Sequence, residues 1–281
     1  MLTSAVLAAA LDGDGDERTL TLDPAFQGLP DSAHGGSVLA AFDLVAGRTG
    51  RRRLDGHYLK RVPLATALRL RARRAPEGDR LELLEHHTVL VRGAVTPTPL
   101  PAADDPGATP PADDAPALPI SRTCFACGVD NALGLGLVLR ADADAVGGTW
   151  SPPARFAAAG GTLAPIALTT LLDEAAFWLG ALASGEAGMT TELRVTLYAE
   201  PAAGATITVA GARAVVRPRA DDPRYQETAL TARDANGQLV ASAAITFVAV
   251  RGAARRLVTG MLAVNPPALL RRVFPAYTPP A

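Results

Sequence analysis

The chain is predicted to be an α+β protein of two similar units in tandem, each a long apolar helix set against a curved antiparallel sheet. Three observations carry this. Each half runs in the order strand, helix, several long strands. Both helical runs are apolar round most of their circumference. A stretch almost devoid of large apolar residues separates the halves. A helix that is apolar all round packs inside a protein, and an antiparallel sheet curled about it buries both. Two such units side by side can join their sheets, which removes one exposed edge from each.

The elements follow in order. In the first half, residues 17–23 (ERTLTLD) alternate as a strand does, and Gly35-Gly36 opens the helical run SVLAAFDLVAG. Strand signals come at 58–60 and at 64–74, where Leu68, Leu70 and Ala72 alternate with Arg69, Arg71 and Arg73. A turn is expected at 76–79 and a further strand region over 81–95. In the second half, 135–141 and 145–150 read as a hairpin, and 165–182 (PIALTTLLDEAAFWLGAL) as the helix. Strands are expected at 191–199, 206–216, 225–233 and 238–250, the last two joined at Asn236-Gly237, a strong hairpin signal.

These elements divide the chain into an N-terminal unit (1–95, the shorter), a Pro/Ala/Asp-rich linker (96–119), a C-terminal unit (120–250) and a tail (251–281). The linker composition cannot bury enough apolar surface to fold by itself. Lys and Arg number 27 against 28 for Asp and Glu, a net charge of −1. That balance provides no electrostatic footprint for nucleic acid or an anionic membrane. The pattern contains no evident bilayer-spanning run, and the first ten residues lack the basic start and long apolar core of a signal peptide. A cytoplasmic protein without cofactor or metal is expected.

The motifs sharpen this reading. His34-Gly35-Gly36 follows Phe26-Gln27-Gly28-Leu29-Pro30 and precedes Asp43 by nine residues. The second half opens with Cys124-Phe125-Ala126-Cys127-Gly128, then Asn131 and Gly134-Leu135, and later carries Asp173, Pro201 and Asn236-Gly237. Together these resemble the PaaI-type hotdog acyl-CoA thioesterases, here as a tandem, double-hotdog chain. The resemblance implies an acyl-CoA or other acyl-thioester substrate. It also implies a site that combines the His-Gly-Gly of one unit with the helix Asp of the other.

The chemistry has a physical rationale. Thioester hydrolysis needs donors for the oxyanion and a carboxylate that attacks or positions water. A Gly-Gly at a helix N-terminus offers unobstructed N–H groups at the positive end of the dipole. A carboxylate among apolar residues is expected to have raised basicity. Nine residues before Asp173 stands Ala164, so Ala164-Pro165-Ile166 occupies the place of His-Gly-Gly, and Pro165 has no N–H to donate. One complete composite site is therefore expected, His34, Gly35 and Gly36 with Asp173. The other site would leave Asp43 facing residues 164–166.

Around that site, Glu174 is the alternative carboxylate, and Thr169 or Thr170 is a candidate to hold the water. Phe177 and Trp178 are core or acyl-pocket residues. His86-His87 is read as part of a strand, with side chains on opposite faces. The arginines at 51–53 and at 69, 71 and 73 are solvated faces or, alternatively, phosphate contacts to a CoA nucleotide. Cys124 and Cys127 form a lone Cys-x-x-Cys without a second pair or a nearby His in the sequence. A tight turn is the default, and pooling of two chains' pairs around zinc the alternative. The leading function is an acyl-CoA thioesterase. The alternatives are a protein that binds acyl-CoA or lipid without hydrolysis, and a hydratase or dehydratase, against which the absence of a His in the second helix counts. A homodimer of tandem chains is a further option.

Overall fold

In the computed structural model, which describes residues 1–98 and 108–277, the first half opens with a short helix α1 (Thr3–Ala9) and a hairpin of β1 (Leu11–Asp12) and β2 (Glu17–Leu20). A 3₁₀ turn at Pro24–Phe26, capped by the Asp23 carboxylate accepting from the Ala25 N–H, redirects the chain. It leads to α2 (Gly35–Ala46), capped by His34 and ended by Gly47 in a left-handed conformation at φ 64°. Strands β3 (Arg52–Tyr58), β4 (Leu68–Arg73), β5 (Asp79–Glu85) and β6 (Thr88–Pro97) complete the half.

The second half repeats the plan with β7 (Arg140–Ala141), β8 (Ala145–Trp150), a 3₁₀ turn at Ala154–Phe156, and the helix α3 (Pro165–Ser184). Then come β9 (Gly188–Leu197), β10 (Ile207–Ala212), the short β11 (Arg217–Pro218), β12 (Tyr225–Asp234) and β13 (Leu239–Ala249). Two helices, α4 (Ala253–Met261) and α5 (Pro267–Val273), follow.

All pairings among these strands are antiparallel, and they form one sheet. Outward from its centre the first half reads β3-β6-β5-β4-β2, and the second reads β9-β13-β12-β10-β8. These are the same order of equivalent strands. The halves join where β3 pairs with β9, from Arg52 opposite Leu197 to His57 opposite Glu192, so neither unit has an open edge there. The correspondence extends to the loops: the His34 N–H donates to Phe26 O and the Ala164 N–H to Phe156 O, each at 2.8 Å. His34 and Ala164 are thus equivalent helix caps, and Asp43 and Asp173 are equivalent positions nine residues later. Helix α2 packs on β3, β6 and β9, α3 packs on β9, β10, β12 and β13, and the two helices pack on each other. This is the double hotdog architecture, one helix wrapped by each half of the sheet.

Helix α3 has twenty residues and, over its most apolar window, is long and apolar enough by composition alone to cross a bilayer. The sequence reading overlooked this. In the fold 83% of that window is buried within the protein, as expected of a core helix wrapped by a sheet.

Elsewhere the pattern misled in detail. The 81–95 region is a hairpin of β5 and β6, and His86-His87 is its turn, with His86 in the left-handed region at φ 53°. No Gly or Asn marks the turn, so nothing in the local sequence separates the two strands. Arg52 is not part of a solvated run: it is buried and clasps Asp43. Arg69 and Arg71 both face Glu17 across the sheet, at 3.7 and 3.6 Å. Of the linker, residues 99–107 lie outside the described residues. Its far end lies against the second half, where Ala115 and Leu118 are buried and the Leu118 N–H donates to Leu139 O at 2.7 Å. The tail docks through Asn265, whose amide accepts from the Ile120 N–H and donates to Ile120 O and Met261 O.

The lead-in to the second half wedges between the two equivalent loops. Phe125 is fully buried, edge-on to Phe26 at 5.1 Å and tilted against Phe156 at 6.2 Å, and its N–H donates to Gln27 O at 2.6 Å. Phe125→Ala is expected to lower unfolding free energy by about 3–5 kcal/mol, read from denaturant melts, because a cavity opens where both halves meet. A loss within error of zero would mean that this wedge contributes nothing to joining them.

Candidate active site

The site begins with a steric demand. A Cβ on Gly36 would stand 2.6 Å from Thr169 O and from the backbone N and Cα of Thr170, and one on Gly35 would stand 2.7 Å from Asp173 Oδ2. The first turn of α2 therefore lies backbone against backbone on α3, an approach that only glycine permits. Thr169 secures the contact by donating its hydroxyl to Gly36 O at 2.8 Å. Tyr58, from β3, donates to Gly35 O at 2.6 Å.

That approach brings the Asp173 carboxylate to the start of α2. The Gly36 N–H points at Asp173 Oδ2 at 2.9 Å and, more distantly, at His34 Nδ1 at 3.3 Å. Nδ1 in turn lies 3.0 Å from the same Oδ2. The shorter Gly36 contact is to the carboxylate, so Nδ1 carries a proton and donates it there too. Thr190, on β9, donates to Oδ1 at 2.6 Å. Asp173 and His34 are both buried.

Burial alone would raise the carboxyl pKa, but the His34 charge and the donors from His34, Thr190 and Gly36 outweigh it and hold Asp173 below the usual carboxylate range. This corrects the expectation of raised basicity: the apolar helix is not the immediate environment of the carboxylate. For His34, burial pulls the pKa down, yet the Asp173 charge and hydrogen bonds to Asp173 and Glu174 leave it well above the usual imidazole value. Tyr58 is pushed well up, by burial and then by the Asp173 charge.

On the other side of the ring, His34 Nε2 lies 3.5 Å from Glu174 Oε2. Glu174 Oε1 accepts from the Trp178 indole N–H at 3.0 Å. Cys124 and Cys127 are buried beside the same pair. A hydrogen bond between the two sulfurs lowers the pKa of Cys124 and raises that of Cys127, burial adding to the second.

These groups line a cavity of about 500 Å³, within the range of small-ligand sites. Phe177, Trp178, Leu257 and Met261 give it apolar walls. Lys60 and Arg61, both exposed, line it as well. His34, Gly35, Asp173 and Glu174 belong to its lining, whereas Thr170 is fully buried and its hydroxyl has no hydrogen-bond partner among the described residues. Asp43 is buried too, and its two oxygens accept from Arg52 at 2.6 and 2.8 Å. Sequence reasoning missed Tyr58, Thr190, Lys60 and Arg61, which come from β3, β9 and the loop after β3. It set Cys124 and Cys127 aside because their nearest His lies far upstream in the chain.

Two expectations follow. Gly36→Ala should cost roughly 1–3 kcal/mol or more by forcing α2 off α3, read as a lower midpoint in urea. The pH dependence has two limbs. The depressed Asp173 pKa stabilises the fold above the usual carboxylate range and is lost as pH falls through the lowered value. The raised His34 pKa stabilises it below the usual imidazole value and is lost as pH rises through the elevated one. Thermal melts in chelator-treated buffer should therefore decline on the alkaline side, and His34→Gln, with no proton to lose there, should flatten that decline. An alkaline limb unchanged in His34→Gln would contradict the assignment.

No family model matches the chain, and no curated protein matches it. Solved structures do. An acyl-CoA thioesterase II, TesB2, from Mycobacterium marinum is 15% identical, with a TM-score of 0.59, over 90% of this chain and 99% of its own. A protein of unknown function with a hot dog fold from Alicyclobacillus acidocaldarius is also 15% identical, with a TM-score of 0.60, over 88% of this chain and 98% of its own. The dehydratase GphF Dehydratase 1 is 18% identical, with a TM-score of 0.55, over 85% and 96%. At these identities the likeness is one of fold, and it extends across nearly the whole chain: this is a double hotdog protein.

Proposed function

We propose that this chain is an acyl-CoA thioesterase of PaaI type, with one composite site formed by His34, Gly35 and Gly36 at the start of α2 and Asp173 of α3. The observation that carries the reading is the placement of the Asp173 carboxylate 2.9 Å from the Gly36 N–H, in the wall of a cavity with an apolar side.

In this reading the acyl carbonyl lies at the N-terminus of α2. The Gly35 N–H, which has no hydrogen-bond partner among the described residues, faces the developing oxyanion with the helix dipole behind it. Asp173, kept ionised by His34, Thr190 and Gly36, has one lone pair left to hold the attacking water. Water oxygen bonds to the carbonyl carbon, the carbon–sulfur bond breaks, and the water's proton passes to the leaving sulfur. Phe177 and Trp178 would contact the acyl chain, and the exposed Lys60 and Arg61 suit the phosphates of CoA. The equivalent position across the pseudo-symmetry supports no second site, since Arg52 neutralises Asp43 and Ala164-Pro165 replaces His34-Gly35.

A second reading has its own observation. The contact between His34 Nδ1 and Asp173 at 3.0 Å is an acid–base pair split between the two helices, of the kind hydration of an enoyl thioester requires. The lack of a His in α3 therefore does not exclude it.

The test is release of free thiol from a panel of acyl-CoAs. Asp173→Asn is expected to lower kcat/KM by about 10²–10⁴-fold. Asp43→Asn should leave kcat/KM of the folded protein unchanged while costing about 3–5 kcal/mol of stability, because buried Arg52 loses its bidentate carboxylate and keeps as ionic partner only Glu200, at 3.5 Å. Binding of acyl-CoA without release of thiol from any member would support a binding protein instead. Addition of water to an enoyl-CoA without thiol release would establish the second reading.

A further inference from the structure

The proposed hydrolysis leaves three buried groups without a part. Cys124 and Glu174 gather beside the His34 ring, with Cys127 next to both of them. The ligand atoms of His34, Cys124 and Glu174 all lie within 4.8 Å of one another, and Cys127 lies close enough to Cys124 and Glu174 for both to act on its thiol. All four residues are at most 7% exposed in their side chains or overall.

The chain around the cysteines is shaped to present two sulfurs together. The Gly128 N–H donates to Cys124 O at 2.9 Å, closing the turn. A Cβ on Gly128 would fall 2.3 Å from that same oxygen, so the turn is this tight only with glycine. Within it the Ala126 N–H donates to Cys124 Sγ at 3.3 Å, an arrangement that favours a thiolate. The Cys124 N–H is itself held by Ser121 Oγ at 3.0 Å. The His34 ring is oriented by its Nδ1–H on Asp173, which leaves Nε2 directed at Glu174, with Cys124 alongside. A carboxylate on the far nitrogen is the usual second partner of a metal-bound histidine.

From this geometry we infer that the chain binds one zinc ion through His34 Nε2, Cys124 Sγ, Cys127 Sγ and a Glu174 carboxylate oxygen, in the wall of the cavity. Two thiolates, an imidazole and a carboxylate form a four-ligand set suited to zinc in a tetrahedral site. Adjacent ligand atoms in such a centre stand roughly 3.5 Å apart, so binding draws the cluster in. The metal replaces the proton between His34 Nε2 and Glu174 and displaces the protons of both thiols. It ties together three segments distant in sequence: the cap of α2, the turn that opens the second half, and the middle of α3. The cysteine pair that lacked a partner in the sequence finds its His and Glu in the tertiary fold of the same chain, with no need for a second chain.

The experiment is metal analysis of the full chain purified under reducing conditions from zinc-supplemented cells. Wild type is expected to hold about one zinc per chain, and Cys124→Ser/Cys127→Ser to lose it while keeping its far-ultraviolet circular dichroism. Cobalt added to the demetallated wild type should produce a thiolate-to-cobalt charge-transfer band, and a chelator should lower the melting temperature of the zinc-loaded protein. Should the double variant fail to fold, the cobalt band and the chelator shift in wild type decide the matter. Wild type with no bound zinc and no thiolate–cobalt band overturns the inference. Neither readout needs substrate, so failure here leaves the hydrolytic reading standing, and failure of hydrolysis leaves the metal site standing.

Discussion

The approach of α2 to α3 at Gly36 is the contact on which the rest of the site depends. Two helices that meet through side chains keep their axes 8–10 Å apart. Here the first turn of one meets the backbone of the other, with no room for a Cβ at Gly36 and the Thr169 hydroxyl bonded to Gly36 O. Only at that separation does a side chain as short as aspartate reach from α3 to the N–H groups that open α2. The contact also places His34 between Asp173 and Glu174, two consecutive residues of α3 that engage opposite nitrogens of one ring.

The duplicated architecture carries two equivalent buried carboxylates with different partners. Asp173 is satisfied by neutral donors from Gly36 and Thr190 and by His34. Asp43 is satisfied by a single bidentate arginine from the next strand. A buried carboxylate needs full compensation in either case, but the two solutions leave different residues behind. Arginine spends its donors on a fixed ion pair. The histidine cap leaves a polar ring facing a cavity. The asymmetry between the halves is thus built into how each one keeps a charge inside its core.

The tail belongs to this arrangement. Helix α4 supplies Leu257 and Met261 to the cavity wall, and Arg256 reaches Asp31, in the loop before α2, at 2.6 Å. Asn265 ties the end of α4 to Ile120, beside the cysteine turn, and Tyr277 donates to Glu186, just beyond α3. Segments from both halves and from beyond them therefore enclose one chamber.

How much of this was legible differs by physical scale. The α+β class, the tandem plan and both core helices follow from periodicity and composition, because a helix apolar all round has nowhere to go but inside. The equivalence of His34 with Ala164, and of Asp43 with Asp173, follows from counting along two copies of one pattern. Local turns without glycine, such as His86-His87, escaped because alternation alone does not distinguish a strand from a tight hairpin. What only the tertiary structure decided is which polar groups meet. Whether Asp173 is a raised or a lowered carboxyl depends on donors from α2 and β9, Asp43 is neutralised by an arginine the sequence placed in solvent, and Cys124 and Cys127 acquire His34 and Glu174 as neighbours. The sequence by itself determined which helices and strand regions build the core, since that follows from local pattern. The partners of a buried charge are set by the close approach of distant backbones, and a hydrogen bond or an ion pair depends on distances that no local pattern encodes.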